Sequence, residues 1–413
     1  MLYENIKKKK NNLKLTISHI ISLCKGVFHG NSTEFTATHI SIDSRSLQNG
    51  NNTLFFAIKG QNHDAHLYLE ELIAKGVRYF VVEYIPEHVY EKANFIIVDN
   101  SLKALQKTAI GYRKQFDFPF VGITGSNGKT IVKEWLNFLL SPNHLIVRNP
   151  KSYNSQVGVP LSILAIEGHY DLGIFEAGIS LPNEMLNLEH IIQPKYGILT
   201  NIGSVHDEGF ANREAKIKEK IKLFENCSDV FLEKNTEIEV LLTQNSQIHT
   251  WSFTDESANL FVSKKNENGK TELTFKNATN TFSVIIPFSD ENSIENVITC
   301  VNFMLFLGEE IEFIQNRVAE LYPVELRLQA KKGINNCLVI DDSYSVDYQS
   351  LKIALDFLEQ QKLHDKKTII LSDIFTSGIA VETLYNQVKQ LLSKNKIERI
   401  ITIGETIGKQ LND

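Results

Sequence analysis

Of 413 residues only four are cysteine, Cys24, Cys227, Cys300 and Cys337, and they form no CxxC pair and no short spacing. That excludes a disulfide framework and a zinc-ribbon pattern, and it fits free thiols in a reducing compartment. Long apolar runs are also missing. No stretch reaches the ~18 residues needed to span a bilayer. The lysine run Lys7-Lys8-Lys9-Lys10 has no signal-type apolar core behind it, because Thr16, Ser18, His19 and Ser22 interrupt the segment that follows. The segment reads as a short amphipathic helix and the lysines as a solvated tail. Basic excess is absent as well. A formal charge of -6 and a pI near 6.1 argue against a duplex nucleic-acid binder, though a local basic cleft for an anionic metabolite stays open. With no internal repeat and no low-complexity linker, the chain reads as a cytoplasmic globular protein that neither inserts in membranes nor binds nucleic acid.

What is present divides into three α/β regions. Residues 1–116 mix short strands (53–58, 79–83, 95–98) with helices at 68–75 and 102–116. Residues 117–322 begin with a strand at 118–123 that runs into a glycine-rich turn and a helix at 129–140. Further strands at 172–175 and 196–200 alternate with helices, which predicts a parallel sheet covered on both faces. Segments 250–253, 260–264, 271–275 and 281–286 read as a run of antiparallel strands, and 293–307 as a helix. Residues 323–413 carry buried-type strands at 337–341, 368–371 and 399–403 separated by helices at 348–361 and 381–394. This is the pattern of a doubly wound domain, here thin enough to predict an incomplete one.

The turn reads Thr124-Gly125-Ser126-Asn127-Gly128-Lys129-Thr130. Glycines let backbone N–H groups face phosphate oxygens, and the helix start adds a favourable dipole. Lys129 would balance β/γ-phosphate charge and the Thr130 hydroxyl would bind Mg²⁺. Ile123 stands where the common phosphate-loop pattern has its first glycine, so the match is to the shorter form T-G-x-x-G-K-T. Nucleotide binding follows; the reaction does not.

Three residues further along narrow the chemistry. Glu176 closes a predicted strand at the sheet edge where such folds bind ligands, although strand-end acids are common. His206, after the next strand, would share that rim and could ligate a metal, or cap a turn at the surface. In the helical segment 213–224, Lys220 has Ile217, Leu223 and Phe224 at helical spacing, whereas Lys216 and Lys222 have only polar neighbours. Lys220 alone is therefore expected on the buried side. Either its ammonium finds a partner there, or the stem is buried and the head reaches water.

These residues resemble the Mur ligase family over nearly the whole chain. The loop, Glu176, His206 and a lysine 14 residues beyond it follow in the family's order. The N-terminal segments Ile42-Asp43-Ser44-Arg45, Leu54 to Gly60 and Asp64-Ala65-His66 resemble the family's UDP-sugar domain. Tyr153-Asn154-Ser155, Glu176-Ala177-Gly178 and Ile340-Asp341-Asp342-Ser343-Tyr344 resemble the members that add D-alanyl-D-alanine. Asn296 matches an adenine motif, Arg327 an arginine reaching toward the phosphates, and Asp342 a ribose contact. Ser155, Asn292, Ser293, Ala65 and Leu326 depart from the pattern, but none of them is Lys129, Glu176, His206 or Lys220.

The resemblance implies a three-domain α/β architecture: a UDP-sugar-binding domain (1–116), a central ATP-binding domain with a parallel sheet (117–322), and a Rossmann-like C-terminal domain (323–413). It implies an ATP-dependent amide-bond ligase of peptidoglycan precursor synthesis that joins D-alanyl-D-alanine to UDP-N-acetylmuramoyl-tripeptide through an acyl phosphate. The implied nucleotide site is Thr124, Gly125, Ser126, Asn127, Gly128, Lys129, Thr130, Asn296, Arg327 and Asp342. Lys129, Lys220, His206 and Arg327 are the implied catalytic residues. Two Mg²⁺ would be held by Thr130 with Glu176 and by His206 with a carbamylated Lys220. The implied substrate contacts are Ser44, Arg45, Asp64, His66 and Asn154. Leu371-Ser372-Asp373-Ile374 resembles the ligase half of ligase–alanine racemase fusions, which implies a racemase domain beyond residue 413. A lysine- or diaminopimelate-adding ligase, a phosphate-loop switch or motor NTPase, and a nucleotide-binding module with little activity of its own remain alternative readings.

Overall fold

The computed structural model describes residues 15–45, 47, 50–60, 63–202, 210, 212–242, 246–267, 270–324, 329–335, 337–343, 348–361, 366–374 and 380–411. The chain falls into two compact units, Met1–Val121 with His144–Ala177 and Leu186–Pro194, and Gly122–Asn143 with Gly178–Met185 and Lys195–Asp413.

In the first unit, five strands lie in the order Val27–His29, Asn94–Ile97, Tyr79–Val82, Thr53–Phe56 and His39–Ser41. The first pair is antiparallel and the other three are parallel. All four residues of Thr53–Phe56 and of Tyr79–Val82 are buried. A parallel strand covered on both faces needs such an unbroken apolar run, and both segments have one. Phe55, Phe80 and Phe95 pack with Leu69, Leu72 and Val77 in the core. The helix Ser101–Arg113 is capped by Asn100, whose side chain accepts from Lys103 N at 2.8 Å. Its last residue, Arg113, is buried against the Phe120 ring and donates to the carbonyls of Ile192 and Phe116. Burial without an acidic partner lowers its pKa to about 10. A second, parallel pair is formed by Ile146–Arg148 and Leu172–Glu176.

In the second unit, Tyr196–Leu199, Asp229–Glu233, Gln247–Ser252 and Leu260–Glu267 pair in parallel succession. The expected antiparallel run begins one strand later than the sequence indicates. Gln247–Ser252 meets Leu260–Glu267 in parallel, and only through Trp251 and Ser252. Asn259 Oδ1 accepts from both Thr250 N and Thr250 Oγ1, so the connection jogs sideways rather than reversing. The hairpins Leu260–Glu267/Lys270–Lys276 and Lys270–Lys276/Thr281–Ile286 are antiparallel as expected. The helix Glu291–Phe306 is capped by Asp290.

Beyond residue 328, Gln329–Lys332 pairs antiparallel with Leu338–Asp341, and Thr368–Ser372 pairs parallel with Arg399–Ile403. Helices Tyr348–Gln361, Val381–Lys394 and Glu405–Leu411 bring Leu355, Tyr385, Val388 and Ile407 against Leu371. These strands are less enclosed than their composition predicts. Ile370 and Ile403 are 65% and 60% exposed, because the packed core lies on the Leu371 side of the pair. Among the described residues no helix is long and apolar enough to cross a membrane, and no cysteine is paired.

Candidate active site

The strand Phe120–Thr124 is buried along its whole length, so the chain must turn sharply where it leaves the core. Gly125 takes φ +146° and Gly128 φ +83°, a region that side-chain-bearing residues rarely enter. Space imposes glycine as well. A Cβ at 125 would stand 2.0 Å from Thr200 Oγ1, and one at 128 would stand 2.3 Å from Asn296 Oδ1. The end of the next strand holds the loop. Thr200 Oγ1 donates to Asn127 O at 2.5 Å, Ser126 N donates to Asn201 O at 2.8 Å, and Asn127 N donates to Asn201 Oδ1 at 3.0 Å. The helix Lys129–Leu140 starts at once, and its N-terminal dipole favours an anion.

Two lysines close on this loop. Lys129 Nζ donates to Gly125 O and Ser126 O, both at 2.9 Å. From the helix Arg213–Ile221, Lys220 Nζ reaches the same Gly125 O at 3.0 Å. Positive charge is thereby concentrated at a half-buried loop. Lys220 is 3% exposed, as its apolar neighbours predict, but Lys216 is buried too, at 1%. The expectation that Lys220 alone faces inward fails because Glu219 and Lys220, the polar neighbours of Lys216, are themselves buried. Glu219 accepts from Met185 N and pairs with Lys222.

Asn296 is 2% exposed, and its amide nitrogen finds no acceptor. A buried unsatisfied donor costs about 1–3 kcal/mol. A heteroaromatic ring nitrogen would satisfy it, and the loop beside it opens the helix whose N-terminal dipole favours a phosphate. The residues present fit a nucleotide.

In the first unit, Glu176 ends its strand fully buried. The sequence did not single out Asn149, also fully buried, whose Oδ1 accepts from Glu176 N at 3.1 Å. Its Nδ2 donates to Glu176 O at 3.2 Å and to Tyr153 O at 2.9 Å. Asn154 follows, half-buried, with its N–H on Ser152 O. Ser155, which stands where the family has asparagine, accepts from Gly158 N at 3.1 Å, where the helix Gly158–Leu164 begins.

The UDP-type segments lie in the same unit. Ser44 is nearly buried, and its carbonyl accepts from Lys75 Nζ at 2.9 Å. Arg45 is exposed and forms two bonds to Asp43, which hold that carboxyl below its ordinary range. Asp64 Oδ1 accepts from the N–H of His66 at 3.0 Å and from its Nδ1 at 2.6 Å, and Tyr84 OH donates to Oδ2 at 3.1 Å. His66 Nε2 accepts from Glu83 N at 2.9 Å, so the ring proton sits on Nδ1.

Similarity to known proteins agrees with this geometry. A family model described as the Mur ligase middle domain matches residues 123–304. The UDP-N-acetylmuramoyl-tripeptide–D-alanyl-D-alanine ligase of Bacillus subtilis is 26% identical, over 95% of this chain and 86% of that protein. That of Borreliella burgdorferi is 29% identical, over 95% and 88%. Residues 123–304 thus carry the pattern of a Mur ligase middle domain. Among solved structures, MurF from Acinetobacter baumannii superposes with a TM-score of 0.83 at 22% identity, covering 96% of this chain and 87% of that one. The fold is thus the three-domain α/β fold of Mur ligases, and the chain is an ATP-dependent ligase.

Two of the expected site residues, His206 and Arg327, lie outside the described residues. Asp342 is half-buried just after the strand Leu338–Asp341. Among the described residues no three His, Cys, Asp or Glu gather to hold a metal. Mg²⁺ does not need such a cage, since it keeps several waters and takes one or two carboxylates plus phosphate oxygens. Within the second unit the Thr130 hydroxyl is an oxygen donor of the kind it prefers, so the loop fits Mg²⁺.

Proposed function

We propose that this ligase joins the amine of D-alanyl-D-alanine to the terminal carboxylate of UDP-N-acetylmuramoyl-tripeptide, cleaving ATP to ADP and phosphate. The observation that carries the reading is similarity to ligases of that name across 95% of the chain, both units included. In this reading the domains are 1–116 for the UDP-sugar end, 117–322 for ATP and 323–413 for closure, and the reaction belongs to the cytoplasm, where ATP is available. A carboxylate is a poor electrophile, and two anions must meet for it to be activated. Lys129, at the head of the loop, and Arg327 would neutralise γ-phosphate charge so that the carboxylate attacks phosphorus and ADP leaves. The dipeptide's neutral amine then attacks the acyl phosphate carbonyl, and phosphate leaves with the bond it formed. Thr130 and Glu176 would hold Mg²⁺, which supplies charge neutralisation at the phosphates. Asn296 and Asp342 would take adenine and ribose, and Asn154 the peptide end.

The finer reading, a second Mg²⁺ held by His206 and a carbamylated Lys220, rests on the family resemblance and draws no support from the relatives. Lys220→Ala tests it: inactivity relieved by short-chain carboxylic acids supports a carbamate, and inactivity without relief supports the ammonium on Gly125 O. The fusion to a racemase domain also finds no support in the relatives. The proposal as a whole is tested by phosphate release with ATP and UDP-N-acetylmuramoyl-tripeptide, first without D-alanyl-D-alanine and then with it added back. Dipeptide-dependent turnover is expected. Turnover that ignores the dipeptide, or that requires a free amino acid instead, rejects it.

A further inference from the structure

The helix Glu291–Phe306 turns different faces to different neighbours. Asn296 faces the phosphate loop, where its Oδ1 would stand 2.3 Å from a Cβ at Gly128. Glu295, Asn302 and Phe306 fall on another stripe, about 100° round from Asn296 at 3.6 residues per turn. That stripe meets the sheet. Asn302 Nδ2 donates to His249 O at 3.1 Å, and the Phe306 ring lies 5.0 Å from that of Phe231 and 4.9 Å from that of His249. Phe231 and His249 are register partners, as are Glu233 and Trp251 two residues on, so all four side chains share the face that the helix covers. Glu295 therefore stands toward the strand ends at Glu233 and Trp251. The neighbouring parallel strand is Tyr196–Leu199, whose continuation at Thr200 and Asn201 holds the phosphate loop.

Negative charge crowds at this place. Glu295 is half-buried, and among the described residues its carboxyl makes no hydrogen bond and no ion pair. Asp290 is engaged as the helix cap, and Lys264 is paired with Glu291. Burial first, then the charges of Glu233 and Glu291, push the Glu295 carboxyl up to about 7 against the opposite pull of Lys264. The other charged groups on the elements packed against this helix are engaged elsewhere. Asp229 bonds to His249 at the far end of the strands, Lys133 pairs with Glu134, and Arg317 pairs with Glu320. Lys129 rests on the loop carbonyls, and Glu312 is exposed.

We infer that Glu295 takes up a proton when a nucleotide binds at the loop, so that affinity for the nucleotide depends on the charge of this one carboxyl. The inference rests on the loop's reading as a nucleotide site and goes beyond it. An ionised Glu295 sets a negative charge next to Asn296, beside Glu233 and Glu291, where it is only half in water. An incoming di- or triphosphate brings more charge of the same sign, which favours the neutral acid. One proton passes from solvent to a Glu295 oxygen, and no covalent bond of the nucleotide changes. Glu295 is thus a positioning residue that touches neither base nor phosphate.

Calorimetric titration of the full chain with ADP, in buffers of different ionisation enthalpy, counts the protons taken up. A shift of about one pKa unit on binding corresponds to about half a proton per ADP near pH 7.5, and to affinity about tenfold lower at pH 9 than at pH 6. The terminal phosphate of ADP titrates in the same range, so the quantity read is the difference between wild type and Glu295→Gln. That variant keeps the size of the side chain and removes the proton site. It should take up about half a proton less and lose the tenfold fall in affinity. Glu233→Gln, at an exposed strand end, removes the largest charge acting on Glu295 and should move the uptake to lower pH. Equal uptake in wild type and Glu295→Gln overturns the inference, and so does an uptake profile that Glu233→Gln leaves in place. A chain that binds no ADP at any pH rejects the nucleotide reading of the loop, and the inference falls with it.

Discussion

The loop 124–130 and the turn 64–66 solve opposite problems. The loop is built from backbone. Its shape depends on two glycines at positive φ, and its lysines rest on main-chain carbonyls that a phosphate can compete with. The turn is built from side chains, and its two named residues are satisfied by one another and by Tyr84 and Glu83. A motif whose work is done by backbone shape declares its ligand in the sequence, because only glycine and a following Lys-Thr will serve. A motif whose residues are structural supports points to a neighbourhood and leaves the contacts to residues elsewhere in the chain.

The largest expected effect removes the charge the loop is shaped to present. Lys129→Ala should lower dipeptide-dependent phosphate release by on the order of 10³-fold or more, with the circular dichroism spectrum unchanged. Near-normal turnover would put the loop in the same class as the turn, a support rather than a contact. A smaller effect is expected from Gly128→Ala, which forces a side chain into φ +83° and against Asn296 Oδ1. Strain of about 1–3 kcal/mol should appear as weaker ADP binding with little change in UDP binding. Equal losses at both ligands would erase the contrast. The smallest effect concerns acid stability. Because Asp64 is held below its ordinary value of 3.8, it stabilises the fold fully above that pH and loses the contribution as pH falls through the lowered value. The urea midpoints of wild type and Asp64→Asn should therefore converge as pH falls below 3.8 through the lowered value. A constant gap would mean that the turn is held by something other than its charge.

The same contrast explains what could be read in advance. The loop, the strand before it and the helix after it were legible because apolar periodicity and glycine placement are local. Lys220 was legible from Ile217, Leu223 and Phe224. Lys216 was not, because its burial depends on Glu219 and Lys220 being buried themselves, which no helical spacing reveals. Asn149 was hidden for a related reason. Its partners, Glu176 and Tyr153, come to it through strand pairing and a loop, and an asparagine between an arginine and a proline carries no periodic signal. The parallel placement of Gln247–Ser252 was missed because the side chain that redirects the chain, Asn259, looks like an ordinary turn residue.

The bonds of Asn149 set a chemical requirement on how the protein ages. Only a primary amide can both accept from Glu176 N and donate to Glu176 O, so conversion to aspartate would lose the donor and place a new negative charge in a fully buried position. Asparagine ordinarily decays when the next backbone nitrogen attacks its side-chain carbonyl to form a succinimide. Here that nitrogen belongs to Pro150 and carries no hydrogen, so the ring cannot form. The neighbour in sequence protects the neighbour in space, and the end of the Glu176 strand keeps its support for the life of the molecule.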